Sequence, residues 1–407
     1  MALTDVDSPD LEAISISIPE DGIAFPHFLT FEYDEHFLTP SDSWRFSLDQ
    51  DELSAAEIAA LEPGFVVNFN IVGLKQSTGI IDEVTVDTSR GTVIHVEGRD
   101  SLSPVVDSQV DPRLVFTPSM TVLQIVTAVF APFGISVFSS DNTANVNAIT
   151  GTIYGTKTSV KGAPLNKVVA HQVKPYPREG AFAFAARVCQ REGLWIWPSA
   201  DGTTVIVGQP NFTGPPLYTL QHSTQNPGAN NILPGSHVTY SRKDQPNIIL
   251  AGASGGGGEF SRAALKCYCV NPFSQATDEQ VAAVIANYPG IVETDVEPSI
   301  IEGATYFEEP VKTLYLYDHE AHNLDELQAY CRREMSLKMR QSLQMHYEIE
   351  GCRLGGNPIA VDTTITVSDD RSNLHLDAYV LSRNFKKSAG GGTKTKVELI
   401  RQNSLVF

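Results

Sequence analysis

Apolar and polar residues alternate with a period of two over short stretches near both ends of the chain, and with a helical period in between. Residues 15–18, 28–33 and 44–48 are rich in β-branched and aromatic side chains and are parted by Pro, Asp and Gly, so they read as strands. Residues 54–61 then place Ile58 and Leu61 at helical spacing behind acidic residues, with Pro63-Gly64 as a stop, which predicts a short helix. Three strand-like runs follow, 65–72, 78–87 and 92–99, bent at Gly73 and at Ser89-Arg90-Gly91. Such a meander hides its edges most economically by closing into a barrel or a tight sandwich.

Beyond Asp107 the pattern turns to mixed α/β. Val122, Ile125, Val126, Val129 and Phe130 form an amphipathic stripe ended by Pro132 and Gly134. A second helix is expected over 178–192, with Phe182, Ala185, Ala186 and Cys189 on one face and Gly193 past its end. Runs 194–197 and 203–207 flank a Pro198 to Gly202 turn, a hairpin packed on that helix. Strands resume near Ile232, at 238–240 and 248–251, until Gly255 to Gly258 and an acidic excursion to about Pro310 interrupt them. Within the excursion Thr277 and Gln280 form a capping box ahead of Val281, Val284, Ile285 and Tyr288. A strand at 313–317 precedes a long helix capped by Asn323 and Glu326, with the stripe Leu324, Leu327, Cys331 and Met335, running to about Leu343. Runs 346–349, 359–367, 376–385 and 395–401 end the chain as a second meander.

The two meanders echo one another. Runs 66–71, 79–84 and 93–97 match 364–367, 376–380 and 396–400 in order and spacing, and each set follows strands and a helix. The expected fold is therefore mainly β with α+β parts: two related antiparallel β-barrels, a small α/β domain between them and an insertion in the second barrel. The expected limits are 1–107, 108–229, 230–268 with 311–407, and 269–310 for the insertion. A chain with two similar barrels has a geometric use, because three copies present six quasi-equivalent units to a six-fold partner.

Composition narrows the function. At 407 residues the chain needs several cores. Its net charge of −19 is concentrated toward the start, where Arg45 is the single Lys or Arg before residue 63. So acidic a chain is a poor grip for DNA, although it can surround a polyanion without adhering, and plain solubility explains the charge equally well. No run approaches the roughly twenty apolar residues of a membrane span, and residues 1–19 lack a signal pattern, so assembly in the cytoplasm without stable membrane association is expected.

Chemistry is sparse. His319 and His322, beside Asp318 and Glu320, have a spacing that a metal can use, yet they fall at a strand-to-helix junction where solvated polar residues are ordinary. Cys267 and Cys269 share a strand face, but the five cysteines are odd in number and lack CxxC spacing, so buried free thiols are the default. Gly255 to Gly258 lacks the Lys-Ser/Thr of a phosphate loop, and no Ser elbow, HExxH helix or Cys-His arrangement stands out. A glycosidase carboxylate pair needs a separation of about 5 to 9 Å that a sequence does not display. Trp44, Trp195 and Trp197 offer sugar stacking as one reading and core packing as the commoner one. The expectation is a protein that is no enzyme and holds no metal or cofactor.

Three stretches resemble the baseplate hub proteins of Mu-like and P2-like contractile phage tails, a family sharing its fold with the base of type VI secretion spike proteins. The first comprises Pro63-Gly-Phe-Val-Val-Asn-Phe-Asn-Ile-Val-Gly73, Gly79-Ile-Ile-Asp82 and Gly98-Arg-Asp-Ser-Leu-Ser-Pro-Val-Val-Asp-Ser108, resembling a first barrel that closes on a Gly-Arg turn and a Val-Asp pair. The second is Glu179 to Gly193 with the Asp201-Gly202 hairpin, and the third runs from Ser382-Arg-Asn-Phe to Thr393. The resemblance implies a homotrimeric, pseudo-six-fold ring in the virion tail, with the tail tube or a tube-initiator protein above and a trimeric spike or needle below. Tape-measure and wedge proteins are further implied neighbours, and DNA would pass the lumen without specific binding. Other readings are a receptor- or glycan-binding tail component and the spike base of a related secretion or injection system. The 269–310 insertion has no counterpart in the resemblance.

Overall fold

A computed structural model describes residues 14–25, 27–71, 74–89, 91–139, 172–199, 202–210, 214–255, 263–273, 276–294, 311–388, 392–402 and 404. The fold is mostly β. The first strands are β1 (Ile14–Ile18), β2 (Ile23–Phe25), β3 (Thr30–His36) and β4 (Ser43–Asp49). Ser54 then caps the helix Ala55–Ala59: its hydroxyl accepts from the Glu57 N–H at 3.2 Å while the Glu57 carboxylate accepts from the Ser54 N–H at 2.7 Å. The meander follows as β5 (Val66–Ile71), β6 (Leu74–Asp87) and β7 (Val93–Asp100).

The α/β part has helices Ser103–Asp107, Val122–Phe130 and Ala181–Arg191 packed on β8 (Ser136–Ser139), β9 (Trp195–Pro198) and β10 (Thr204–Gly208). In its sheet β10 is central, antiparallel to β9 as the hairpin reading expects and parallel to β8, which that reading lacks. The Ala181–Arg191 helix is rotated from expectation. Ala181, Phe184, Ala185, Val188 and Cys189 are buried, while Phe182 and Ala186 lie only half-buried at the flank of the same core. The central sheet's own apolar stripe, Val205 and Val207, takes the Phe184 side of the helix.

The remainder contains β11 (Tyr218–His222), β12 (His237–Tyr240), β13 (Ile248–Gly255), β14 (Ala263–Val270), the helix Asp278–Ile285, β15 (Val292–Glu293) and β16 (Thr313–Asp318). The long helix Leu324–Arg340 leads into β17 (Leu343–Glu350), then β18 (Arg353–Leu354), β19 (Asn357–Pro358), β20 (Thr364–Asp369), β21 (Leu374–Ser388) and β22 (Gly392–Arg401).

The two β units repeat one another strand for strand. One is ordered β3-β4-β7-β6-β5, the other β12-β17-β22-β21-β20. Their registers agree as well: Gly79 faces Asp100 as Ala378 faces Arg401, and Ile81 faces Gly98 as Val380 faces Leu399. Each ladder then slips by one residue, at Asp82 and at Leu381. Trp44 opposes Gly98 as Met345 opposes Leu399, and Tyr33 opposes Trp44 as Val238 opposes Met345. A bulge on the same rung of both units belongs to a shared backbone plan, since meanders at large carry no such fixed defect.

Three expectations change. The units are not separate barrels but parts of one 13-stranded sheet, joined where the second half of β21 pairs with β3; each keeps its own core, the first around Phe31, Trp44, Phe46 and Phe69, the second around Tyr347, Ile365, Val380 and Leu399. The helices are not counterparts, for Ala55–Ala59 follows β4 whereas Leu324–Arg340 precedes β17, the equivalent of β4. Finally, β13, β14 and β16, expected within the second barrel, form their own four-stranded sheet with β15. The reason is visible in β13: Ile248, Ile249, Leu250 and Ala251 are all buried, a run apolar on both faces that needs cover on both. The Leu324–Arg340 helix covers the Ile249 face and the Asp278–Ile285 helix the Ile248 face.

Candidate assembly surface

The seam between the units is made by two inward charges. Along β3 the residues Phe31, Tyr33 and Glu35 share the buried face, and along β21 so do Leu381, Arg383 and Phe385. Arg383 is 1% exposed. It donates to Glu35, to the Ile359 carbonyl and to Gln76 at 3.1 Å, and its guanidinium lies 4.8 Å from the Phe385 ring centre. A buried charge is tolerable only when its donors are taken up in this way. On the opposite face Glu32 gathers Lys386 at 2.6 Å and Asn384 at 3.0 Å from β21, and Arg45 from β4. Burial raises the Glu32 pKa, but these donors outweigh it and hold the carboxylate at about 2.

A second polar knot ties the first unit to the α/β part. Asp100 accepts from the Ser41 hydroxyl at 2.6 Å and from the N–H groups of Asp42 and Leu102 at 3.1 and 3.0 Å. Burial dominates these bonds and pushes its pKa up to about 6, and burial with the neighbouring carboxylates raises Asp42 as well. Gly202 sits over this knot with φ +67°, where a Cβ would lie 2.9 Å from that of Asp100. The Asp201-Gly202 turn thus has a reason for its glycine, while Asp201 lies outside the described residues.

Trp195 and Trp197 are 7% and 5% exposed. They pack on Phe37, with ring centres 5.9 and 5.3 Å away, and Phe37 in turn meets Tyr379 edge-on at 5.9 Å. The pair therefore clamps the α/β hairpin onto both β units and presents no platform to a sugar. Trp44 is buried too, its indole N–H donating to the Arg99 carbonyl at 3.1 Å. Gly98 lies beneath that ring, and a Cβ there would meet the Ile80 carbonyl at 2.1 Å. The Gly98-Arg99 pair, expected as a turn, is thus the interior of β7, glycine being required by the indole. Arg99 forks between Asp82 and Asp107, both at 2.7 Å, which explains the Val106-Asp107 pair.

The outer face of the large sheet is polar and internally neutralised. A cleft of about 450 Å³ is lined by acids Glu32, Asp34, Asp82 and Glu97 together with Arg45 and Arg99. Farther along, Glu348 takes Lys394 at 2.9 Å and Lys396 at 3.8 Å. The chain's acidic excess is therefore not concentrated on this face.

The metal candidates are engaged otherwise. Arg191 binds Asp318 at 3.2 Å and Glu320, the His322 ring lies 3.9 Å from Glu326, and His319 meets the Tyr317 ring. Cys267 and Cys269 point at the long helix, where the Cys269 and Cys331 sulfurs are 3.1 Å apart as free, buried thiols. Among the described residues no group of three or more His, Cys, Asp or Glu side chains is placed to hold a metal. Gly256 to Gly258 lie outside the described residues. The charges that organise the seam, Glu35 and Arg383, escaped the sequence reading, although their period-two phase with Tyr33 and Phe385 marks them as inward.

Two strand edges are left open. Beyond Ile81 the far end of β6 pairs with β7 alone, and β12, the last strand of the sheet on the other side, pairs only with β17. Val86 on the first edge is 54% exposed and Tyr240 on the second 60%. Among the described residues no helix is long and apolar enough to cross a membrane.

No family model and no curated protein matches the chain. Solved structures do match it. A tail protein from Neisseria meningitidis aligns at a TM-score of 0.68 with 19% identity, covering 97% of this chain and 98% of that one. The 43 kDa tail protein of prophage MuSo2 from Shewanella oneidensis aligns at 0.68 with 16% identity, covering 97% and 99%. An E. coli component of the type VI secretion system, described as similar to the T4 bacteriophage tail proteins gp27 and gp5, aligns at 0.50 with 10% identity, covering 93% and 75%. Over nearly its whole length, then, the chain has the fold of these prophage tail proteins, a fold that extends to the type VI secretion component.

Proposed function

We propose that the protein is a structural, non-enzymatic hub of a phage-type contractile tail baseplate, a homotrimeric ring joining the tail tube to a central spike. The observation that carries this is the repeat: two five-strand units in one register, bulge included, inside one chain. Three copies then offer six near-equivalent faces upward to a hexameric tube and three-fold symmetry downward to a spike. The likeness in fold to two prophage tail proteins supports the same role. Ion pairing across the polar sheet face suits a lumen through which DNA passes without sticking, because the bases there are already taken by carboxylates. The virion tail is the corresponding location.

The likeness to a type VI secretion component favours a second reading, the spike base of a secretion or injection device, with the same ring geometry. Co-expression with the neighbouring tube and spike genes, followed by affinity purification and native mass spectrometry, tests the proposal. The hub reading expects both neighbours to co-purify with a species of three chains of 44.3 kDa each. Recovery of the protein alone and monomeric would remove it.

A further inference from the structure

The repeat supplies a template for how copies meet. Inside the chain, the end of β21 joins the second unit to β3 of the first, with Phe385 opposite Tyr33 and Lys386 opposite Glu32. The shared register makes Glu83 of β6 the counterpart of Ser382, since they oppose Glu97 and Glu398 on equivalent rungs. It likewise makes Val238 of β12 the counterpart of Tyr33. The end of β6 and the edge of β12 are thus the two halves of a seam that the chain makes once internally and leaves open once.

Resting on the ring reading, we infer that residues 84–87 of one copy pair antiparallel with β12 of the next, with Val84 opposite Tyr240, Thr85 opposite Thr239, Val86 opposite Val238 and Asp87 opposite His237. The side chains fit this register. Positions equivalent to the buried Arg383, Phe385, Tyr33 and Glu35 become Val84, Val86, Val238 and Tyr240, all apolar and led by the exposed Val86 and Tyr240. On the other face the Lys386 and Glu32 ion pair becomes Asp87 and His237, of complementary sign once the imidazole is protonated. Unpaired edges carrying exposed apolar residues are what proteins ordinarily avoid unless a partner covers them. Because the two edges differ, the pairing is head-to-tail and closes into a ring, joining β12-β17-β22-β21-β3-β4-β7-β6 of each copy to the same strands of the next.

The test uses the full chain in two double variants, V86C/V238C and T85C/T239C, under mild oxidation, since neighbouring rungs alternate between the wider and the closer cross-strand spacing. The five native thiols are buried. The pairing predicts disulfide-linked species ending at the trimer in at least one double variant, none in the single variants, and for V86D a trimer dissociation constant raised at least tenfold with an unchanged circular dichroism spectrum. A wild-type trimer that links in neither double variant overturns this pairing and leaves the ring reading intact. A single variant that links to itself points to a two-fold contact and overturns it as well. A protein that stays monomeric by native mass spectrometry overturns both.

Discussion

Arg383 shows how a charge comes to sit in the interior of this molecule. Its position between Leu381 and Phe385 places it inward by strand alternation alone, and Glu35, in phase with Tyr33, meets it. That phase is legible in the sequence; the partnership is not, because it spans the length of the chain. Removing one partner strands the other, so Arg383→Ala should lower unfolding stability by about 3–5 kcal/mol in urea titration. An exposed pair such as Arg113 with Asp111 should change it by less than about 1 kcal/mol. Asp100 makes a different prediction. Its proton is held more tightly in the folded state, from the ordinary 3.8 up to about 6, so its contribution is fully present below pH about 4 and is lost as pH rises to about 6. The loss is roughly 3 kcal/mol. Thermal melts across that range should fall with rising pH, and Asp100→Asn should flatten part of the slope, with Asp42 supplying the remainder.

Elements were read most securely where local chemistry decides them. Capping boxes at Ser54, Thr121 and Thr277 start their helices as the side chains require, and strand alternation places most of β3 to β7 and β20 to β22. What escaped the reading depends on distant contacts: the parallel pairing of β8, the rotation of the Ala181–Arg191 helix toward Phe184, and the separate sheet around β13. Gly98 belongs with these, since its requirement comes from the Trp44 ring on another strand. Gly98→Ala should therefore cost about 3 kcal/mol or more, seen as a lowered melting temperature or insoluble expression. Trp197→Ala removes the clamp between the hairpin and the two β units and should cost about 3–5 kcal/mol. Amide exchange should rise across β9 and β10 and stay unchanged in β5 to β7, because those strands hold a separate core.

For the whole molecule, duplication is the organising fact. The echo between the two meanders is faint in side chains but complete in register, because a backbone plan of pairing and one bulge survives substitutions that keep only alternation. Its purpose as a symmetry adapter follows from geometry, and the neutralised polar face suits a conduit better than a binding surface. Electron-microscopic averaging of the purified assembly with its tube and spike partners tests this most directly. The account predicts a three-fold ring at the tube tip whose six lobes alternate between the two units of the chain; a ring of another order, or particles with the protein dispersed as monomers, would contradict it.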